Sequence, residues 1–158
     1  MKSRLQFQRG FTLAEMLVAV GIGSVVIAGT MTLFVTYLRF YNSTSLMRNC
    51  ASRASLALER MVYGVGANVG LRAAQSSTVS VTYPSGGWRI QYNTNLVFQY
   101  TVAAKTITDQ ANKIICSNVI SSTLTYPTNS CTISLTVVEV GGGRIVTNTM
   151  ASTVQFRN

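Results

Sequence analysis

The sequence predicts an α+β fold, one long N-terminal helix followed by an antiparallel β-sheet head. Three observations carry that expectation. From Met16 to Leu38 no charged side chain appears, a stretch of the length a membrane-crossing helix needs, about 20 residues. Beyond Arg39 apolar residues recur at alternating spacings of four and three, one stripe along a helix. From Thr78 onward the period drops to two, as it does in half-buried strands.

The apolar stretch comes first in the chain. Ten polar and basic residues, MKSRLQFQRG, lead into FTLAEMLVAVGIGSVVIAGTMTLFVTYL, residues 11 to 38, whose single charged side chain is Glu15. Basic residues ahead of an apolar run keep the N-terminus cytoplasmic and send the remainder across. An ordinary secretory signal has an apolar core of roughly 7 to 15 residues and a small-x-small cleavage site; this run is about twice as long. A plain uncleaved anchor fits the length but leaves Glu15 unexplained. A carboxylate inside an apolar helix costs about 2.5–3.5 kcal/mol on insertion, which marks it as functional. If the chain is cut after Gly10, the new amine falls on Phe11, one helical turn from Glu15, and the two charges can answer each other on one subunit or between neighbours.

The segment Arg9-Gly10-Phe11-Thr12-Leu13-Ala14-Glu15-Met16-Leu17-Val18 closely resembles the cleavage and methylation signature of type IV prepilins and pseudopilins. The resemblance implies cleavage by a prepilin peptidase between Gly10 and Phe11 and methylation of the Phe11 amine. It also implies subunit alignment through Glu15. Many major pilins carry a Pro within the apolar helix; this span has none, and has Gly21, Gly23 and Gly29 instead. Glycines weaken a helix by about 1 kcal/mol each relative to Ala and allow helices to approach closely.

The stripe after Arg39 consists of Met47, Ala51, Ala54, Leu58, Met61 and Val65, with Arg48, Arg53 and Arg60 off it. One helix is therefore expected from about Phe11 to Tyr63, about 80 Å long at the standard rise. It should stop near Gly64, because Gly64, Gly66 and Gly70 follow closely. That glycine run is not a dinucleotide fingerprint: its third Gly is one place late, and it follows a helix rather than a strand.

In the head, Val79, Val81 and Tyr83 alternate before a turn at Pro84 to Gly87, and Trp88, Ile90 and Tyr92 alternate after it. Leu96 to Val102 and Lys105 to Thr108 read as further strands, before a turn at Asp109 to Asn112. Ile133, Leu135 and Val137 mark another, closed by Gly141-Gly142-Gly143. Arg144 to Thr149 and Thr153 to Phe156 finish the sheet. Aromatic residues here read as core, and the abundant Thr suits pleated, half-exposed strands. The closing residues 154 to 158, after a Gly-rich hairpin, loosely resemble the end of the larger minor pilins. The expected parts are a leader at 1–10, a transmembrane half-helix at 11–38, an amphipathic half at 39–63 and a β-rich extracytoplasmic head at 64–158.

Composition bounds the chemistry. The 158 residues suffice for one modest domain. They carry 13 Lys and Arg against 4 acids, a formal charge of +9. Removing Lys2, Arg4 and Arg9 with the leader leaves ten basic against four acidic side chains, or +6. Such a surplus favours anionic partners in general, but the arginines are scattered singly, which describes a solvated surface rather than a nucleic-acid groove. There is no His, and the acids are only Glu15, Glu59, Asp109 and Glu139. Acid–base, metal and triad chemistry all draw on these types, so neither an enzyme nor a cofactor is expected. Cys116 and Cys131, flanked by polar residues in a head bound for an oxidising compartment, are expected to form a disulfide, worth about 3 kcal/mol by loop entropy. Cys50 lies with the apolar side of the helix as a small core residue.

The resemblance implies a structural subunit, a minor pilin or pseudopilin of a type IV pilus or type II secretion pseudopilus. Its partners would be other pilin subunits, the prepilin peptidase, an inner-membrane assembly platform and the bilayer. Its place would be the bacterial inner membrane with the head in the periplasm, and then the filament. The alternative is a DNA- or surface-binding module on a pilin-like anchor; nucleic acid is a partner that the sequence itself does not support.

Overall fold

The computed structural model describes residues 11–65, 68–93 and 95–157. The chain is α+β: helix α1 (Leu13–Tyr63) precedes a series of antiparallel strands. The described residues fall into two compact units, divided between Tyr41 and Asn42. In the first unit the described side chains from Phe11 to Tyr41 are exposed apart from half-buried Gly23. The window apolar enough to cross a membrane is in no part buried by the protein. Its hydroxyls turn inward on the helix backbone. Ser24 donates to the Gly21 carbonyl at 2.8 Å, Thr30 to Ile27 at 2.9 Å, Thr32 to Ala28 and Thr36 to Thr32, each at 2.9 Å. Lipid offers no hydrogen-bond partner, so an apolar span must satisfy its polar atoms in this way.

In the second unit α1 buries Cys50, Ala54, Ala57, Leu58 and Met61. The buried side is thus turned from the expected stripe: Ala54, Leu58 and Met61 are on it, whereas Met47 is 58% exposed. Small residues at 50, 54 and 57 let the helix backbone lie close to the strands beneath. The helix stops at Tyr63, where Gly64 takes φ +90°, a left-handed conformation that glycine adopts without strain.

The strands form two principal sheets rather than the one expected. β1 (Gly64–Val65) and β2 (Asn68–Val69) make a short ladder, and 3₁₀ turns follow at Leu71–Ala73 and Ser76–Thr78. β3 (Ser80–Thr82), β4 (Gly87–Tyr92), β5 (Leu96–Thr101), β6 (Thr106–Asp109) and β7 (Ile114–Cys116) are joined in sequence order as a five-stranded meander. β8 (Val119–Thr125), β9 (Ser130–Gly141) and β10 (Arg144–Gln155) form the other sheet, with β9 central. β10 is one continuous strand paired along its length with β9, not two strands broken near Met150.

Both sheets contribute to one core. Trp88, Ile90, Tyr92, Phe98, Tyr100 and Ile107 come from the meander, and Cys131, Ile133, Leu135 and Val137 from β9. Buried aromatic polar atoms find acceptors. Trp88 Nε1 donates to Ser122 Oγ at 3.0 Å, which donates in turn to the Ser134 carbonyl at 3.0 Å, while the Tyr92 hydroxyl donates to the Val69 carbonyl at 2.7 Å.

The disulfide expected between Cys116 and Cys131 is not formed; all three cysteines are free, buried thiols. Geometry explains it. Just after Cys116, the Asn118 carbonyl accepts the Val138 N–H at 2.9 Å, so Cys116 lies near the Val138 part of β9. Cys131 is seven residues back along the same strand, about 23 Å at the extended rise. A disulfide needs α-carbons within about 7 Å.

Candidate assembly site at the start of the helix

The sequence reading places Gly10, Phe11 and Glu15 at one site. Gly10 and the remainder of the leader lie outside the described residues. Phe11 and Thr12 precede the helix, and the Phe11 side chain is 82% exposed. The Thr12 carbonyl accepts the Met16 N–H at 3.2 Å, which makes Thr12 the N-cap and Glu15 the third helical residue. Thr12 Oγ1 accepts the Glu15 N–H at 3.3 Å. In return Glu15 Oε2 accepts the Thr12 N–H at 2.9 Å and the Thr12 hydroxyl at 3.0 Å.

This is a reciprocal capping box. Two of the N–H groups that a helix start leaves without partners are satisfied by it. The carboxylate also sits at the positive end of the helix dipole. Thr12 is the residue that the sequence reading missed, although the spacing Thr12-x-x-Glu15 was there to be read. The box uses Oε2, and a carboxylate has acceptor positions to spare on both oxygens. Glu15 can therefore cap its own helix and accept a further cation without giving up the cap.

Such a carboxylate, in the first turn of an exposed apolar helix, can hold an amine. A family model, the prokaryotic N-terminal methylation motif, matches residues 5–31. The chain carries the type IV pilin and pseudopilin signature. The match takes in Gly10, Phe11, Thr12, Glu15 and about the first five turns of the apolar helix. No curated protein and no solved structure matches the chain. The pilin signature implies processing by a prepilin peptidase and assembly with other pilins, and together with the one helix among the described residues long and apolar enough to cross a membrane it fits a membrane-anchored pilin.

Two further features bear on a pilin-like role. At Gly21, Gly23 and Gly29 an added methyl group would meet nothing within 4 Å, so packing within this chain does not demand glycine there. In the head, most of the few carboxylates serve the structure. Glu139 pairs with Arg53, Nη1 to Oε1 at 2.6 Å, and Asp109 Oδ1 accepts the Ala111 and Lys113 N–H groups at 2.9 and 2.8 Å.

Proposed function

We propose that the chain is a structural subunit, a minor pilin or pseudopilin, of a type IV pilus or a type II secretion pseudopilus. The peptidase cuts between Gly10 and Phe11, the Phe11 amine is methylated, and the head stands in the periplasm. In the filament the amine of one subunit meets Glu15 of its neighbour, while apolar helices pack together and exclude lipid. The observation that carries this reading is Glu15, held by Thr12 in the first turn of a helix that carries no other charge as far as Leu38. The glycines without intrachain packing demands support close approach by other helices. The role is non-catalytic: the chain lacks His, and Glu15, Asp109 and Glu139 are engaged in local structure.

Intact mass tests the processing. Protein from cells with the peptidase should lack residues 1–10 and carry one added methyl group, whereas cells without it should yield the full chain. Glu15→Ala should still enter the membrane and be cut, yet fall by at least about tenfold in sheared filaments, the loss expected for a charge left unpaired in lipid. Normal filament entry by that variant would refute the pairing.

A further inference from the structure

Val140 and Ile145 are the two most exposed large hydrophobic residues described in the second unit, at 68% and 72%. They face each other across the end of the β9–β10 ribbon, in direct register. The ribbon turns through Gly142 and Gly143, at φ +57° and +72°, the geometry of a tight hairpin that needs no side chain. Arg144, also exposed, stands between the turn and Ile145. Farther along the same face the pairs become hydroxylic: Thr136 with Thr149 and Thr132 with Thr153, bonded at 2.8 and 2.9 Å. The exposed aliphatic pair thus belongs to the tip.

The tip also has a definite place along the chain. A methyl group on Gly141 would come within 2.9 Å of Leu46 Cδ2. One step up the ribbon Glu139 pairs with Arg53, and the Val137 carbonyl lies 3.0 Å from Cys50 Sγ. Val154 and Cys131, at the other end, are partners in register. The tip therefore meets the helix at Leu46, and Leu46 follows the last residue of the uncharged stretch, Leu38, by only eight positions.

We propose that this tip is a membrane-contact site: Val140 and Ile145 enter the headgroup–acyl boundary of the bilayer that holds the span, and Arg144 pairs with lipid phosphate. The proposal rests on the reading of the N-terminal helix as a membrane anchor. Aliphatic side chains flanked by a cation suit that boundary, where apolar area is buried to a depth of about 5–10 Å and the charged group stays with the headgroups. The bare glycine turn remains at headgroup level, where its polar backbone is hydrated. Tethering makes the encounter intramolecular, so weak contacts suffice to hold the head against the surface.

The test uses the full chain in vesicles of phosphatidylethanolamine and phosphatidylglycerol, with a polarity-sensitive fluorophore on one introduced cysteine. Thr147→Cys reports on the tip, Gln155→Cys on the far end of the ribbon and Ile27→Cys on the span; the native thiols are buried. Nitroxide lipids should quench the Thr147 label at least about twofold more than the Gln155 label, as a shallow insertion requires. Replacing Val140 and Ile145 by Ser should remove that difference. Equal quenching at 147 and 155, with the label at 27 quenched, overturns the proposal while leaving the anchor intact. A Thr147 signal that depends on protein density and ignores nitroxide lipid overturns it in favour of a second copy as the occupant. An unquenched label at 27 refutes the anchor reading itself, and the tip proposal with it.

Discussion

Glu139 lies on the helix-facing side of β9 with its side chain only 14% exposed, and Arg53 reaches it from α1. A carboxylate so placed has lost most of its hydration, so its partner matters more than in a surface pair. Arg53 itself is half exposed, which screens the attraction and lowers its worth. Arg53→Met should therefore destabilise the head by about 1–3 kcal/mol, chiefly by leaving the carboxylate unanswered. Adding Glu139→Gln to that variant should recover a large part of the loss. Urea denaturation of the four proteins in detergent forms a double-mutant cycle, and strictly additive effects would show that the pair is not coupled. The same scale shows what sequence can and cannot reveal. Glu15 was conspicuous because a charge in an apolar run has few explanations. Thr12 was not, because a hydroxyl at a helix start is ordinary until the carboxylate three residues on is seen to answer it.

At the scale of elements, Gly87 and Gly142 give a contrast. Both have positive φ, +152° and +57°, but only Gly87 is hemmed in. A methyl group there would run into the Tyr100 carbonyl on the neighbouring strand, whereas at Gly142 it would meet open space. Gly87→Ala should cost about 3 kcal/mol or more, combining a backbone clash with a conformation closed to L residues. Gly142→Ala should cost about 1–2 kcal/mol, the left-handed penalty alone. Equal thermal shifts for the two would contradict the close approach of β4 and β5. Legibility followed the same local logic. β9 was readable because Ile133, Leu135 and Val137 alternate with hydroxyl residues, and every one of the three is buried. β7 and β8 were not. Ile114-Ile115-Cys116 is a contiguous run without alternation, and the β8 register shifts between Val119 and Ser121, which puts its pattern out of phase. The division into two sheets depends on which strand edges meet, and no local period encodes that. The helix was read correctly in kind, and Cys50 is buried on its apolar side as expected, but Met47 is exposed and Ala57 buried, because an alanine is small enough to pass for a neutral position.

Across the whole molecule, burial acts in one direction on several weak acids. It pushes the Cys131 thiol up to about 12 from an ordinary 9.0, and raises the Cys50 and Cys116 thiols and the Tyr92 and Tyr100 hydroxyls as well. Folded, these groups keep their protons; unfolded, the thiols release them from about pH 9 and the phenols about one unit later. Below that range both states are protonated and the contribution to stability is fully present. Above it the unfolded chain binds fewer protons, so stability falls as pH rises, by about 1.4 kcal/mol per pH unit for each group between its two pKa values. The urea midpoint of the full chain in detergent should therefore stay level to about pH 8.5 and drop beyond it. Cys131→Ala should make that decline shallower, since it removes a thiol whose folded pKa lies well above its unfolded one. A bridge between Cys116 and Cys131 would remove two of the titrating thiols and flatten the curve between about pH 9 and 10. The alkaline limb thus tests at once whether the cysteines are the separate buried thiols that their places in the two sheets require.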